Sequence, residues 1–118
     1  MSYTNEIRKD IKNYLKQKCE NVYYLKASDI SRFPYIVFSI RSVGEGKVLE
    51  LDIWDRHKDT TRIENLTDDI EEMFLNEVMC NEKHCIAFYS NDDRRFIEDT
   101  DKHLQRINES YELFYDKN

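Results

Sequence analysis

The sequence predicts a two-layer α+β domain, a mostly antiparallel sheet of about four to five strands with two helices packed on one face, in the order α-β-β-β-α-β-β. Three observations carry this. Apolar residues recur at helical spacing in two stretches, Tyr3 to Leu15 and Ile63 to Val78. Alternating or β-branched runs occupy the segments between and after them. A length of 118 residues, 40% hydrophobic and 36% charged, suits one domain, residues 1–118, with its own core.

Each element has a local reason. Tyr3, Ile7, Ile11, Tyr14 and Leu15 place an amphipathic helix over roughly residues 4–18, which Ser2 or Thr4 can cap by accepting first-turn amides. Val22-Tyr23-Tyr24-Leu25 reads as a short strand. Pro34 opens a stronger strand over residues 35–41, at a position where a missing amide costs no ladder bond. Gly44-Glu45-Gly46 turns the chain. Residues 48–54 return with Leu49, Leu51 and Ile53 on one face and Glu50 and Asp52 on the other.

Asp59-Thr60-Thr61 opens the second helix, where Thr61 and Glu64 have the spacing of a capping box. Ile63, Leu66, Ile70, Met73, Phe74 and Val78 form its apolar stripe. Strands at residues 84–90 and 106–115 follow, the second with Ile107, Tyr111, Leu113 and Tyr115 on one side. The charged segment 91–102 between them reads as a loop.

The formal net charge is -6, unfavourable for general nucleic-acid binding, which needs a concentrated basic surface. The charges are segregated. Arg8, Lys9, Lys12, Lys16 and Lys18 lie on the first helix, and Glu64, Asp68, Asp69, Glu71, Glu72 and Glu77 on or beside the second. Two solvated faces is the plain reading. The sharper one brings the faces together, within a subunit or between neighbours.

Both glycines fall in the single stretch 44–46, so no glycine-rich phosphate loop occurs elsewhere, and no hydrolase, zinc-protease or dinucleotide motif is present. Apolar runs are far short of a membrane span and the N-terminal residues do not form a signal peptide, so no membrane association is expected. Cys19, Cys80 and Cys85 make an odd count without CxxC spacing, which reads as a reduced, intracellular chain. Cys80, His84 and Cys85 lack a matching ligand pair elsewhere, so they read as packing residues rather than a metal site. His57, His84 and His103 stand in polar contexts and are expected to be exposed or locally bonded. No cofactor is implied.

The strand at 35–41 is apolar on both faces. If the helices cover Ile36, Phe38 and Ile40, then Tyr35 and Val37 share the uncovered face with Trp54. That face is a candidate protein interface unless loops cover it. An enzymatic alternative is topological, because helix–three strands–helix–strand is also the core order of the PD-(D/E)xK nucleases. Here Glu45-Gly46-Lys47 with Asp29, Glu50 and Asp52 would supply the Mg²⁺-binding acids and the lysine. The Glu-x-Lys triplet begins in a glycine turn, which suits that chemistry poorly.

Several segments follow one another at a recognisable spacing. They are Phe33-Pro34-Tyr35-Ile36-Val37-Phe38, Leu51-Asp52-Ile53-Trp54-Asp55, Asp59-Thr60-Thr61-Arg62-Ile63-Glu64, the loop ending Asp99-Thr100-Asp101, Leu104-Gln105-Arg106 and Tyr111-Glu112-Leu113-Phe114-Tyr115. Together they resemble the small tail-completion proteins of long-tailed phages and prophages of Gram-positive bacteria, relatives in fold of the tail-terminator and tail-to-head joining proteins.

The resemblance implies a structural, non-enzymatic homo-oligomer, typically a ring of six, on the head-proximal end of the tail tube. Its expected partners are further copies of itself, the tail-tube protein and head–tail connector proteins, with DNA only in passage through an acidic lumen. Its expected location is the host cytoplasm during assembly and then the virion tail or neck. A head-completion or neck connector protein is the neighbouring alternative.

A closed ring needs two different patches on each subunit. Lys9, Lys12 and Lys16 against Asp68, Asp69 and Glu72 are one such pair, with Tyr35 and Trp54 as further interface candidates. Glu45 and Lys47 at the hairpin tip (43–47), and Asp92, Asp93, Arg94 and Arg95 in the loop, are the candidate contacts with tube or connector.

Overall fold

The computed structural model describes residues 3–28, 32–44, 46–76 and 78–117. The chain runs α1 (Tyr3–Leu15), β1 (Val22–Tyr24), β2 (Tyr35–Val43), β3 (Gly46–Arg56), α2 (Thr61–Asn76), β4 (Met79–Cys80), β5 (His84–Ser90), β6 (Arg95–Ile97) and β7 (Leu104–Lys117). Expected positions Ser2, Asp29, Glu45 and Glu77 lie outside the described residues.

The expected fold class is corrected. The chain is mostly strand (45%, against 25% helix), and its strands form one curled, mixed half-barrel sheet rather than a two-layer sheet of four to five strands. The order is β1-β2-β3-β7-β5-β4, and β6 pairs with β7 beyond the end of β5. The sheet is mixed because β1 runs parallel to β2, whereas the other pairings are antiparallel. β7 is the long central strand, bonded to β3 on one side and to β5 and β6 on the other.

Residues 91–94 interrupt the β5–β6 edge opposite Ser110. Asp93 replaces the missing ladder partner there, its carboxylate accepting from the Ser110 amide at 2.8 Å and from the Ser110 hydroxyl. An interruption of this kind bends a strand and increases its twist, which curls the sheet.

Both helices lie against the same side. Ile7, Ile11 and Leu15 of α1 and Ile63 and Ile70 of α2 are fully buried against Ile36, Phe38, Leu49, Leu51, Ile53 and Ile86 of the sheet. Tyr14 joins the layers, its ring 5.6 Å from Phe74 and 6.1 Å from Phe88. Fully burying a side chain of this size contributes roughly 1.5–3 kcal/mol. This inward set, not intrinsic propensity, holds α1 in place.

The ends of the elements also differ from expectation. α1 begins at Tyr3, so Thr4 lies inside it. α2 is capped from upstream, the Asp59 carboxylate accepting from the Thr61 amide at 3.0 Å. That bond holds the Asp59 carboxyl below its usual range. α2 stops at Asn76, so Val78 falls outside the apolar stripe and is 60% exposed. Gly44 takes φ 58°, the left-handed region in which glycine is unstrained, and so permits the tight β2–β3 turn. Among the described residues, no helix is long and apolar enough to cross a membrane.

Candidate functional site

The outer face of the sheet carries a continuous aromatic row. Tyr35, Trp54 and Arg106 stand opposite one another on β2, β3 and β7, at alternate positions to the core residues. Tyr35 and Trp54 stack at 6.1 Å, Phe33 lies 5.3 Å from Tyr35, and Tyr23 meets Tyr35 edge-on at 6.1 Å. Arginines close both ends, Arg106 lying 5.0 Å above Trp54 and Arg56 5.7 Å from Phe33. Asp52 fixes Arg106, accepting from its Nε and from Asn108 Nδ2, both at 2.9 Å. Burial, with a smaller contribution from Tyr23, raises the Tyr35 hydroxyl pKa. Half-buried aromatics next to arginine are the side chains that dominate protein interfaces.

The inner face holds two buried acids among apolar neighbours. Asp55, fully buried, follows Leu49, Leu51 and Ile53 on the inward side of β3. It receives Arg62 Nε at 2.8 Å and Arg62 Nη2 at 2.5 Å, a two-point clamp from α2, and it also accepts from the Arg56 amide at 2.8 Å. The clamp raises the Arg62 pKa. Gln105 Nε2 donates to the His57 and Asp59 carbonyls from the adjacent strand. These bonds fix the β3–α2 connection.

Glu109, 3% exposed, is the second acid. Burial, and next a hydrogen bond shared with Glu71, push its carboxyl up to about 8. The Tyr111 hydroxyl donates to it at 2.9 Å. Burial and then the Glu109 charge raise the Tyr111 hydroxyl further. Above this pair, Arg94 reaches Asp68 at 2.5 Å and Glu71 at 3.3 Å. Although burial opposes its charge, these acids hold the Arg94 pKa above its usual value. A cavity of about 610 Å³ opens here between α2 and β5, with Phe74, Phe88 and Tyr111 among its lining.

Each expected site residue among those described has a definite place. Lys9 and Lys12 lie on α1, and Lys16 follows its end. Asp68, Asp69 and Glu72 are exposed on α2. Tyr35 and Trp54 share the outer row. Of the expected contact loops, Glu45 is outside the described residues, and Lys47 belongs to β3, donating to Ser42 Oγ at 3.3 Å. Asp92 is exposed at φ 52°. Asp93 accepts from Ser110 and Arg94 pairs with Asp68 and Glu71 within the chain, and Arg95 begins β6. The segment expected as one loop therefore contains a strand.

The described members of the nuclease constellation do not converge. Glu50 and Asp52 face outward, Lys47 falls on the alternate register with Leu49 and Leu51, and Asp52 is held by Arg106 and Asn108.

Two local expectations are corrected. Cys80 and Cys85 face each other across β4 and β5 at a Cα separation of 4.0 Å and form a disulfide, leaving Cys19 free and buried. The three thiols are therefore not all reduced, because strand register brings together two cysteines whose spacing signals nothing. His84 is fully buried, not exposed, with Nε2 2.7 Å from Asp10 Oδ2. Its alternation with Ile86 and Phe88 turns it inward.

Sequence reasoning missed Asp55 with Arg62, Glu109 with Glu71, and the contributions of Tyr23, Phe33 and Arg106 to the outer row. Asp55 and Glu109 had a readable signal, since each occupies the inward parity of its strand. A scan against protein-family models gives no match, and a search of curated proteins gives none either.

Proposed function

We propose that this chain is a structural virion-assembly protein that completes the tail tube of a long-tailed phage or prophage at its head-proximal end, working as a ring-shaped homo-oligomer. The reading rests on the resemblance of residues 33–38, 51–55, 59–64, 99–101, 104–106 and 111–115 to tail-completion proteins. The observation that carries it is the outer row of Tyr23, Phe33, Tyr35 and Trp54 flanked by Arg56 and Arg106, a rigid recognition surface built on strands. Residues from the resembling segments hold its supports. Asp55 and Arg62 clamp β3 to α2, and Asp99 accepts from the Asp101 amide at 3.0 Å, shaping the loop at 99–101.

The tail-tube protein or a head–tail connector is the partner for this face. DNA passes through the ring without being held, in keeping with the acidic balance of the chain. The protein acts in the host cytoplasm during assembly and afterwards in the virion.

The test is reconstitution with tail tubes, viewed by electron microscopy. The protein is expected to cap one tube end and stop elongation, and Tyr35→Ala with Trp54→Ala to lose capping while keeping wild-type circular dichroism. Tubes that elongate equally with and without the protein would refute the proposal.

A further inference from the structure

We infer that copies of this chain associate head to tail, the basic groove between α1 and β1 of one copy seating on the acidic groove between α2 and β5 of the next. The inference rests on the proposed homo-oligomer and names its contact.

The two grooves are opposite in charge and lie toward opposite ends of one sheet. The basic one, about 420 Å³, is lined by Arg8, Lys9, Lys12 and Lys26 together with Tyr23 and Tyr24, and no acidic side chain among the described residues lines it. It lies along β1, the terminal strand on its side. The acidic one, about 610 Å³, sets Asp68, Glu71, Glu72 and Asp92 against a single arginine, Arg94, an excess of three negative charges.

The acidic groove sits where β5 has lost its outer neighbour. β4 pairs only with Cys85 and Ile86, and the groove begins at Phe88. Leu75, 81% exposed, also lines it, offering an apolar surface for lysine stems while their ammonium groups meet the acids.

Charge decides the geometry. A two-fold contact that set either groove against its own copy would oppose like charges, whereas setting one groove against the other opposes unlike ones. Joining unlike grooves head to tail yields a closed ring or an open filament, and native mass distinguishes these from a two-fold dimer in which two copies exchange both grooves at once. Lys16, although basic, does not line the groove and contributes less than Lys9 and Lys12.

Sedimentation velocity and native mass measurement of the full chain at about 50 mM and about 500 mM salt test this, since exposed charge contacts are screened over that range. The wild type is expected to associate in low salt and at least about tenfold more weakly in high salt. Lys9→Glu with Lys12→Glu, and separately Asp68→Lys with Glu72→Lys, are each expected to weaken association at least about tenfold. Mixing the two variants restores complexes that contain both.

If a reversal unfolds the chain, Lys9→Gln with Lys12→Gln replaces it, with the same expected direction. If the wild type associates and neither pair of substitutions weakens it, the groove contact is overturned while self-association stands. A wild type that stays monomeric in low salt, alone and in millimolar solution, overturns the contact and the homo-oligomer together.

Discussion

Replacing Glu109 by glutamine changes one atom of a buried side chain and removes its ability to ionise. In the wild type the carboxyl ionises near 8 rather than near 4.5, because burial and the bond to Glu71 disfavour its charge. The folded protein therefore binds a proton that the unfolded chain has already released between those two pH values. Stability falls as pH rises across that window, by about 1.4 kcal/mol per pH unit, and the contribution is intact only below about 4.5.

Between pH 5 and pH 8 the loss is on the order of 4 kcal/mol, a large part of the ~5–15 kcal/mol that stabilises a typical domain. The Glu109→Gln side chain keeps the shape, an amide donor toward Glu71 and an acceptor for the Tyr111 hydroxyl, without the titration. Urea unfolding followed by circular dichroism at several pH values should show the variant gaining on the wild type as pH rises, the gap being largest at pH 8. Taking the difference between the proteins cancels the titrating groups remote from Glu109, leaving it and the Glu71 carboxyl it is bonded to. Parallel stability profiles for the two proteins would refute the assignment of a buried, protonated Glu109.

Other outcomes follow from the same geometry. Arg62→Met leaves the Asp55 carboxylate buried with only a backbone amide and is expected to cost about 2–4 kcal/mol in urea unfolding, the half-exposed guanidinium placing it toward the lower end of buried pairs. Ile11→Ala empties a fully buried site between α1 and the sheet and should cost about 2–5 kcal/mol by the same measurement. Asp93→Ala removes both bonds to Ser110 and should increase amide hydrogen exchange at Ser110 and its neighbours more than in α1, with a loss of about 1–2 kcal/mol overall.

The helices and the β2–β3 hairpin were legible because their burial follows a simple period. Ile7, Ile11 and Leu15, and Leu49, Leu51 and Ile53, are all fully buried as the pattern requires. The curl was not legible. It depends on Asp93 standing in for a strand bond and on the short pieces Met79–Cys80 and Arg95–Ile97, which lack the length or alternation to announce themselves.

Of the candidate surface, the pairing of Tyr35 with Trp54 was readable from parity alone. Tyr23, Phe33 and Arg106 join it through register between strands far apart in the chain, which no local window contains. The inward acids escaped because a charged residue at a core-facing position counts against a buried strand until its partner is known. Asp55 finds that partner in Arg62, and Glu109 remains neutral by holding its proton.

Trp54 is the only tryptophan in the chain, and it lies in the middle of the outer row, stacked on Tyr35 and beneath the Arg106 guanidinium. The molecule thus carries its own fluorophore on the surface assigned to a foreign partner. A protein that covers the row will shift or quench the emission of that single indole. Copies that meet through the charged grooves reach the row only at Tyr23, which also lines the basic groove, and leave the indole itself uncovered. One optical signal therefore separates the two kinds of docking without any label.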